Sequence, residues 1–256
     1  MQQKHSIQLL PSQAADDDAI KNLFANSCGV LPARITGFAI IKKSIDARSK
    51  QPWVLITATV FIDEPFLPPA LPPLQLQQVE KAAKKVIIVG AGPAGLFAAL
   101  RLIDLGIQPI IIERGKDVRA RRRDLAAINK EGVINPESNY CFGEGGAGTY
   151  SDGKLYTRSN KRGNVQRILN LFVHFGANTE ILYEAHPHIG TNKLPQIITT
   201  MREKIIERGG KILFEKKLVD FKISNNKIEA ISTSDGDELT ADAVILATGH
   251  SARDIF

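Results

Sequence analysis

The sequence predicts an α/β fold in two parts: a small N-terminal α/β domain and a larger domain built on a parallel sheet and a β-meander. Three observations support this. A strand, a glycine turn, a helix and a second strand follow one another from Lys84, a proline-rich stretch precedes them, and further strands lead to "AVILATGHSARDIF". A chain of 256 residues with 43% hydrophobic residues can bury the core that such a fold requires.

The first 65 residues predict the small domain. Strands are expected in "SIQLL", "ARITGFAIIKKSIDARSK" and "PWVLITATVFID". A helix is expected in "SQAADDDAIKNLFANSCG", with Ser12 as its N-cap and Gly29 at its end. The five prolines of "EPFLPPALPPLQLQ" predict a stiff, extended linker over residues 66–83. The larger domain then occupies residues 84–256.

The larger domain begins with "VIIVG", an apolar run typical of a strand buried on both faces. Pro93 suits the first turn of the next helix and Gly106 its end, and "QPIIIERG" is the second strand. A helix in "VRARRRDLAAINK" precedes a glycine-rich loop, Gly143–Gly153. Two more helices are predicted at Asn164–Phe175 and Leu194–Arg208, the latter with Thr191 as a candidate cap. The meander strands are predicted at Lys211–Ile223, Lys227–Thr233 and Glu238–Ala247, with tight turns at Asn225-Asn226 and Asp235-Gly236.

Composition argues against several classes of protein. The net charge is +6, but aromatic residues are 6% and no nucleic-acid-binding motif is present, so we do not expect a nucleic-acid partner. Cys28 and Cys141 are far apart and form no metal-binding pattern, which fits a reducing cytoplasm. The N-terminus lacks the apolar core of a signal peptide. Glycines and Arg101 interrupt the most apolar stretch, so we expect no membrane span.

The stretch "VGAGPAGL" carries the pattern G-x-G-x-x-G at Gly90, Gly92 and Gly95. The first glycine permits a tight turn, the second lets a pyrophosphate approach the backbone, and the third lets the helix pack on the strand. The helix N-terminus offers free N–H groups to phosphate. Glu113, 18 residues past Gly95, ends the next strand and is placed to accept hydrogen bonds from ribose hydroxyls. The unit is predicted to bind a dinucleotide, either NAD or FAD.

The order "VGAGPAG", "IIIERG", meander and "VILATG" resembles the two-dinucleotide-binding-domain flavoproteins, the broad glutathione-reductase-like class. This resemblance implies a Rossmann-like FAD/NAD(P)-binding domain with FAD as cofactor, and an ATG motif beside the flavin. "SIDAR", "ERGKDVRARRRD", "FGEGGAGTYSDGKLYTR", "PHIGTNKL" and "ATGHSARDIF" resemble more closely the uncharacterised FAD-dependent dehydrogenases of bacteria. Members of that family are about twice as long, so we expect the chain to be an N-terminal fragment with an open flavin pocket.

The motifs and the resemblance together predict a set of cofactor-binding residues: Gly90, Gly92, Pro93, Ala94, Gly95, Glu113, Arg114, Arg122, Gly145, Gly146, Ala147, Gly148, Ser151, Leu218, Thr248 and Gly249. The glycines of the loop allow an anion-binding nest of N–H groups. By resemblance the loop follows the pyrophosphate and ribityl chain, and Ser151, Asp152 and Lys154 approach the isoalloxazine. Arg114 and Arg122 either pair with phosphate or hold the loop.

The catalytic residues stay open at this point. Lys154, Asp152 and His188 are candidates; a lysine near flavin would stabilise the reduced, anionic form. His186 and His188 suit either acid/base chemistry or ordinary packing and capping, and we expect no metal site. Cys141 has no second cysteine nearby for a redox relay; it is either a nucleophile beside the flavin or a buried apolar residue.

The expected function is FAD-dependent oxidoreduction of an unknown small-molecule substrate or electron acceptor, with NAD(P)H as a candidate donor and a cytoplasmic location. Two alternatives differ in class. One is a tRNA-modifying flavoprotein, which would explain the basic charge. The other is a non-catalytic or truncated flavin-binding protein. The sequence does not predict the oligomeric state.

Overall fold

The computed structural model describes residues 1–157, 163–190 and 192–255. The chain divides into two compact units: Met1–Pro73 with Lys154–Ile189, and Leu74–Gly153 with Gly190–Phe256. Residues 154–189 therefore group with the N-terminal residues. The division into domains at 65/66 and 83/84 stays a prediction. None of the helices in the described ranges is long and apolar enough to cross a membrane.

The first unit contains a three-stranded antiparallel sheet in the order β1-β3-β2. Its strands are β1 (Gln2–Leu9), β2 (Ile35–Asp46) and β3 (Trp53–Ile62). Alternate residues point to one face, where Ile7 and Leu9 are buried, as the period of a half-buried strand requires. Helix α1 (Asp17–Cys28) contributes Ile20 and Phe24 to the same core.

The start of α1 differs from the prediction. Asp16, not Ser12, is the N-cap, and its carboxylate accepts hydrogen bonds from the Asp18 and Ala19 amides. Ser12 instead precedes a short 3-10 turn and makes no capping bond with its side chain, because the chain is still turning there. Gly29 ends the helix at a φ of 68°, as predicted.

The second unit is built on a four-stranded parallel sheet in the order β10-β4-β5-β6. The strands are β4 (Lys85–Val89), β5 (Gln108–Glu113), β6 (Lys211–Phe214) and β10 (Ala243–Leu246). The unit also contains helices α2 (Pro93–Asp104), α3 (Val118–Glu131) and α5 (Leu194–Glu207), while α4 (Val165–His174) belongs to the first unit. Thr191, predicted as a cap, lies outside the described residues.

A second sheet, in the order β7-β8-β9, packs on the parallel sheet through Ile87, Ile112, Leu218 and Ile231. Its strands are β7 (Leu218–Ser224), β8 (Lys227–Thr233) and β9 (Glu238–Leu239). The predicted turn at Asn225-Asn226 is confirmed, with φ values of 49° and 58°.

The predicted strands Lys211–Ile223 and Glu238–Ala247 are each wrong as single strands, because each is divided between the two sheets. Glu215 has a φ of 57°, a left-handed conformation that ends β6 and redirects the chain into β7. Between β9 and β10, the Asp242 carboxylate accepts a hydrogen bond from the Lys85 amide, which anchors the return to the parallel sheet.

The order β10-β4-β5-β6 creates a topological switch point. From β4 the chain proceeds to β5 and then β6 on one side, and it returns to place β10 on the other side of β4. Loops that leave the carboxyl ends of β4 and β10 diverge there, and crevices at such points bind ligands in open α/β sheets. The functional site is therefore expected at the carboxyl ends of these strands.

Candidate functional site

A cleft of about 550 Å³ lies at the carboxyl ends of β4, β5 and β10. Every residue that lines it belongs to the second unit. Among the predicted cofactor-binding residues, the following line the cleft: Gly90, Gly92, Pro93, Ala94, Glu113, Arg114, Gly146, Ala147, Leu218, Thr248 and Gly249. The structure thus brings together three motifs that are far apart in sequence.

The glycines at the β4–α2 turn are required for different structural reasons. Gly90 has a φ of 109°, and a Cβ there would lie 2.6 Å from the Ala247 carbonyl oxygen. A Cβ on Gly95 would lie 1.9 Å from the Gly90 carbonyl oxygen, so the fold itself excludes a side chain at both positions. Gly95 is accordingly buried in the turn and does not line the cleft.

Gly92 differs because nothing in the protein occupies the space beside it. It is the N-cap of α2 with a φ of −73°, which any residue adopts, and a Cβ there would meet only the Gly146 Cα, at 3.9 Å. The bare backbone of Gly92 therefore faces the cleft beside the first turn of α2, where free N–H groups point outward.

The glycine-rich loop closes against this helix terminus. Gly145 donates a backbone hydrogen bond to the Ala91 carbonyl at 2.9 Å, and a Cβ on Gly146 would lie 3.2 Å from the Pro93 Cδ. Gly143, Gly145 and Gly146 all have positive φ, and their amides donate within the protein, to the Glu113 carboxylate and to the Ala91 and Gly143 carbonyls. The predicted nest of N–H groups stays a prediction. Gly145, Gly148 and Ser151 do not line the cleft; the Ser151 hydroxyl donates to the Gly148 carbonyl within the loop.

Glu113 is the buried centre of these loops. Its carboxylate accepts hydrogen bonds from the amides of Ala91, Gly115 and Gly143 at 2.8, 2.9 and 3.0 Å. The side chain is 5% exposed and also lines the cleft. One carboxylate thus ties the β4–α2 turn, the end of β5 and the glycine loop together, a role that the sequence did not indicate.

The two arginines predicted near phosphate lie in different places. Arg114 lines the cleft, where its guanidinium pairs with Glu137 and Asp254 at 2.5 and 3.0 Å and lies 4.1 Å from the centre of the Phe142 ring. These contacts join the turn before the glycine loop to the segment that follows β10. Arg122 is exposed on α3 and does not line the cleft. Phosphate contact by either arginine stays a prediction.

The end of β10 supplies another wall of the cleft. The Ala247 amide donates to the Val89 carbonyl at 2.8 Å, which extends the parallel pairing to the ATG motif. Thr248 and Gly249 follow directly, with Gly249 at a φ of 71° and no atom within 4 Å of a built Cβ. Backbone is thus exposed to the cleft on this side too.

Several lining residues were not predicted as cofactor-binding, among them Phe142, Lys216, Lys217 and His250. Sequence carried no signal for the lysines, because their position depends on the left-handed turn at Glu215. The interpretation of Cys141 as a buried residue is wrong. Cys141 is exposed and lines the cleft, because the Asn139 side chain turns the chain there and accepts a hydrogen bond from the Cys141 amide.

The candidate catalytic residues lie outside the lining of the cleft. Lys154 and His188 pair in an isolated β-bridge of the first unit, whereas Asp152 lies in the glycine loop of the second. His186 stacks against Tyr156 with ring centres 4.4 Å apart, the packing role that was one of its two interpretations. No cluster of His, Cys, Asp or Glu in the described ranges has the arrangement of a metal site.

Glu144, in the glycine loop, is fully buried. One carboxylate oxygen accepts from the Val118 amide at 2.8 Å and from Arg202 at 2.7 Å, and the other has no hydrogen-bond partner. Burial raises the pKa of Glu144 to about 7, against the opposing effects of the Val118 amide and Arg202. A titratable group therefore lies directly beneath the wall of the cleft.

These observations fit FAD. The open space at Gly92, the helix N-terminus and the facing glycine loop form a cradle that a Cβ would fill and that suits a pyrophosphate. Apolar residues such as Ile112, Leu218 and Ile255 line the remainder and suit aromatic rings.

Comparison with known proteins agrees with this geometry. Residues 83–251 match the family model described as FAD binding domain, and residues 1–61 match a domain of unknown function, DUF8436. The chain belongs to the FAD binding domain family. Its cofactor is FAD, and its fold is that of the Rossmann-like FAD/NAD(P)-binding proteins, with a β-meander.

Two curated relatives are longer than this chain. A protein of Clostridium beijerinckii named "Uncharacterized protein" is 37% identical over 236 residues, which is 87% of this chain and 44% of the relative. Thiamine thiazole synthase of Aeropyrum pernix is 27% identical over 182 residues, 65% of this chain and 55% of the relative. The chain thus spans about half the length of the curated relatives it matches.

Solved structures that the chain matches in part include THI4 of Thermovibrio ammonificans and glycine oxidase of Bacillus cereus. THI4 is 20% identical with a TM-score of 0.42, over 67% of this chain and 60% of THI4. Glycine oxidase is 17% identical with a TM-score of 0.34, over 64% of this chain and 55% of the oxidase.

Proposed function

We propose that this chain carries the FAD-binding part of a flavin-dependent oxidoreductase of the bacterial FAD-dependent dehydrogenase type. The single observation that carries the proposal is the switch-point cleft, where the G-x-G-x-x-G turn, the glycine loop and the ATG strand end meet. Bound FAD would supply two-electron redox chemistry. The substrate class is a small molecule or an electron acceptor, and NAD(P)H is the candidate donor.

The chain's own residues would act mainly by placing the cofactor. The first turn of α2 and the loop amides near Ala147 would hold the pyrophosphate through N–H groups, with no cationic side chain required. Glu113 keeps a face toward the cleft and would accept a ribose hydroxyl while it holds its three amides. Thr248 and Gly249 would lie beside the flavin half, as the resemblance implies.

The catalytic step has no assigned residue among those that line the cleft. Lys154, Asp152 and His188 stay candidates, and a lysine beside the flavin would favour its reduced, anionic form. The cleft-lining His250 and Cys141 join these candidates because each presents a titratable group at the wall.

The test begins with the small molecule that the protein binds. The purified chain is supplied with FAD, desalted and denatured, and the released molecule is identified by mass. We expect FAD in about equimolar amount; recovery of NAD alone, or of nothing, would contradict the cofactor assignment. The FAD-loaded protein is then mixed with NADH or NADPH, and nicotinamide oxidation is followed with a quinone or ferricyanide acceptor. FAD binding without oxidation of either donor would reject NAD(P)H as the donor.

A further inference from the structure

Arg121 is the largest completely buried side chain among the residues that the structure describes. It lies on α3 between the buried residues Val118 and Leu125, at positions i, i+3 and i+7 of one helix face. Its neighbours Arg122 and Arg123 are exposed on the same helix. Burial of an arginine in place of an apolar residue costs free energy, which indicates a specific task for this guanidinium.

The guanidinium of Arg121 is surrounded by the backbone of the glycine loop and the turn before it. Its donors reach the carbonyl oxygens of Glu144 and Gly146 at 2.8 Å, that of Asn139 at 2.9 Å and that of Tyr140 at 3.2 Å. Two further contacts, to the Gly143 carbonyl at 3.3 Å and the Thr149 hydroxyl at 3.1 Å, come from the terminal nitrogen that also reaches Glu144 and Gly146, so its two hydrogens are shared among them. One side chain thus gathers the carbonyl groups of residues 139–146.

The glycine loop is shaped to admit this arginine. A Cβ on Gly143 would lie 2.4 Å from the Arg121 Cδ, so only glycine leaves room for the side chain at that point. Thr149 reinforces the arrangement, since its hydroxyl donates to the Glu144 and Gly146 carbonyls at 3.0 and 2.9 Å. The loop and the arginine therefore form one packed unit.

The charge of Arg121 is held without a carboxylate partner. In the part of the chain that the structure describes, its hydrogen-bond partners are carbonyl and hydroxyl oxygens, and no carboxylate lies within ion-pair distance of it. Burial lowers the pKa of Arg121, although Glu113 and Glu144 oppose this effect from a greater distance. The guanidinium charge of Arg121 thus lies behind the wall of the cleft, with the carboxylates of Glu113 and Glu144 at a greater distance.

The hydrogen bonds from Arg121 to the loop carbonyls also fix the direction of the loop N–H groups. With the Gly146 carbonyl turned toward Arg121, the Ala147 N–H of the same trans peptide points the other way, and Gly146 and Ala147 line the cleft. The N–H opposite the Glu144 carbonyl is that of Gly145, which donates to the Ala91 carbonyl. Without the arginine, five carbonyl groups, two of them buried, would lose a donor, and the glycine loop would lose one of the side chains that hold its positive-φ conformation.

We propose that Arg121 is the positioning residue of the FAD site: it holds residues 139–149 in the conformation that presents loop amides to the pyrophosphate, and it adds a buried positive charge behind them. The inference rests on FAD binding in this cleft. It differs from a phosphate contact by arginine, because Arg121 would act through the loop and never touch the cofactor.

The test compares Arg121→Met, Arg121→Lys and Arg121→Ala with the exposed control Arg123→Met in the same chain. FAD affinity is measured by quenching of flavin fluorescence, and hydrogen exchange of the loop amides is measured without FAD. We expect FAD affinity to fall about tenfold or more in Arg121→Met, the scale for losing one charge-assisted interaction. Exchange should accelerate in residues 139–149 but not in β4 and β5. Arg123→Met should match the wild type in both measurements.

A chemical-rescue arm separates positioning from general stability. Methylguanidinium at millimolar concentration should enter the space left in Arg121→Ala and recover loop protection and part of the FAD affinity. It should leave the wild type unchanged. Arg121→Lys, which keeps the charge and three donors, should fall between the wild type and Arg121→Met.

Each outcome decides the inference. Arg121→Met with FAD affinity within twofold of the wild type, or weaker FAD binding with unchanged loop exchange, would overturn it. If Arg121→Met does not fold, Arg121→Lys and the methylguanidinium rescue of Arg121→Ala provide the test. The inference would then be rejected if Arg121→Lys bound FAD as the wild type does and methylguanidinium restored neither loop protection nor FAD affinity in Arg121→Ala. A wild-type chain that fails to bind FAD would instead reject the cofactor site itself, and with it both proposals.

Discussion

The variant Gly92→Ala distinguishes the effect of a side chain at residue 92 on FAD binding from its effect on the stability of the fold. A Cβ at residue 92 would meet only the Gly146 Cα, at 3.9 Å, and the φ of −73° is open to alanine. The loss of glycine stabilises by about 0.4–1 kcal/mol through the unfolded chain, and a poorer N-cap offsets part of this. We therefore expect the free energy of unfolding without FAD to change by less than about 1 kcal/mol.

FAD binding should respond differently. The new methyl group would fill the space where the pyrophosphate approaches the first turn of α2, so at least one charge-assisted hydrogen bond would be lost. That loss is worth about 1.5–3 kcal/mol, or about 10- to 150-fold in the dissociation constant. The two quantities are measured by urea unfolding without FAD and by fluorescence titration with FAD.

Gly95→Ala provides the contrast, since its Cβ would lie 1.9 Å from the Gly90 carbonyl oxygen. That variant should lose stability even when FAD is absent. Wild-type FAD affinity in Gly92→Ala would refute the placement of the pyrophosphate against residue 92. A loss of several kcal/mol in the unfolding free energy of Gly92→Ala without FAD would refute the packing argument.

Three further predictions concern acidic and basic groups. Glu113→Gln turns one acceptor oxygen into an amide donor that faces a backbone N–H. The free energy of unfolding, measured in urea without FAD, should therefore fall by about 1–3 kcal/mol, and FAD should bind more weakly. An unchanged free energy of unfolding would contradict the role of Glu113 as acceptor of three amides. Because the folded pKa of Glu144 is raised to about 7 from 4.5, the folded state holds the extra proton between these values, and stability should fall by about 3 kcal/mol as pH rises through that window. Unfolding at several pH values would show this loss in the wild type but not in Glu144→Gln; parallel curves for the two proteins would contradict it. Lys154→Met should lower the flavin midpoint potential, measured by dye-linked redox titration of the FAD-loaded protein, and an unchanged potential would remove Lys154 from the surroundings of the flavin.

The β4–α2–β5 unit was predictable because its signals are local. An apolar run, a glycine turn, a proline at the first helical position and an acid at the next strand end are each read from neighbouring residues. The tight turn at Asn225-Asn226 was predictable for the same reason. In each case the backbone conformation is decided by the residues that adopt it.

The predicted meander shows where this approach fails. The apolar pattern of Lys211–Ile223 continues across Glu215, but the chain there changes from the parallel sheet to the antiparallel one. Strand periodicity reports which residues can extend, and it does not report which partner strand will pair with them.

The arginines of α3 show the same limit. Arg119, Arg121, Arg122 and Arg123 are adjacent, and the sequence favoured Arg122 as a ligand of phosphate or of the loop. A helical spacing with Val118 and Leu125 would have marked Arg121 as the buried one. Its partners, however, are carbonyl groups at residues 139–146, whose positions no periodicity reports.

The sequence by itself determined the dinucleotide-binding turn and the order of the motifs, because backbone preferences of glycine and proline act over a few residues. Those preferences left NAD and FAD open, and the choice of FAD came from the resemblance to the flavoproteins. Only the tertiary structure decided which groups meet at the cleft. Glu113 acquires donors from residues 91, 115 and 143, and Arg121 acquires its acceptors from a loop about twenty residues further along. Buried polar groups must find hydrogen-bond partners wherever the folded chain places them, and the parallel sheet places these loops together at its carboxyl edge.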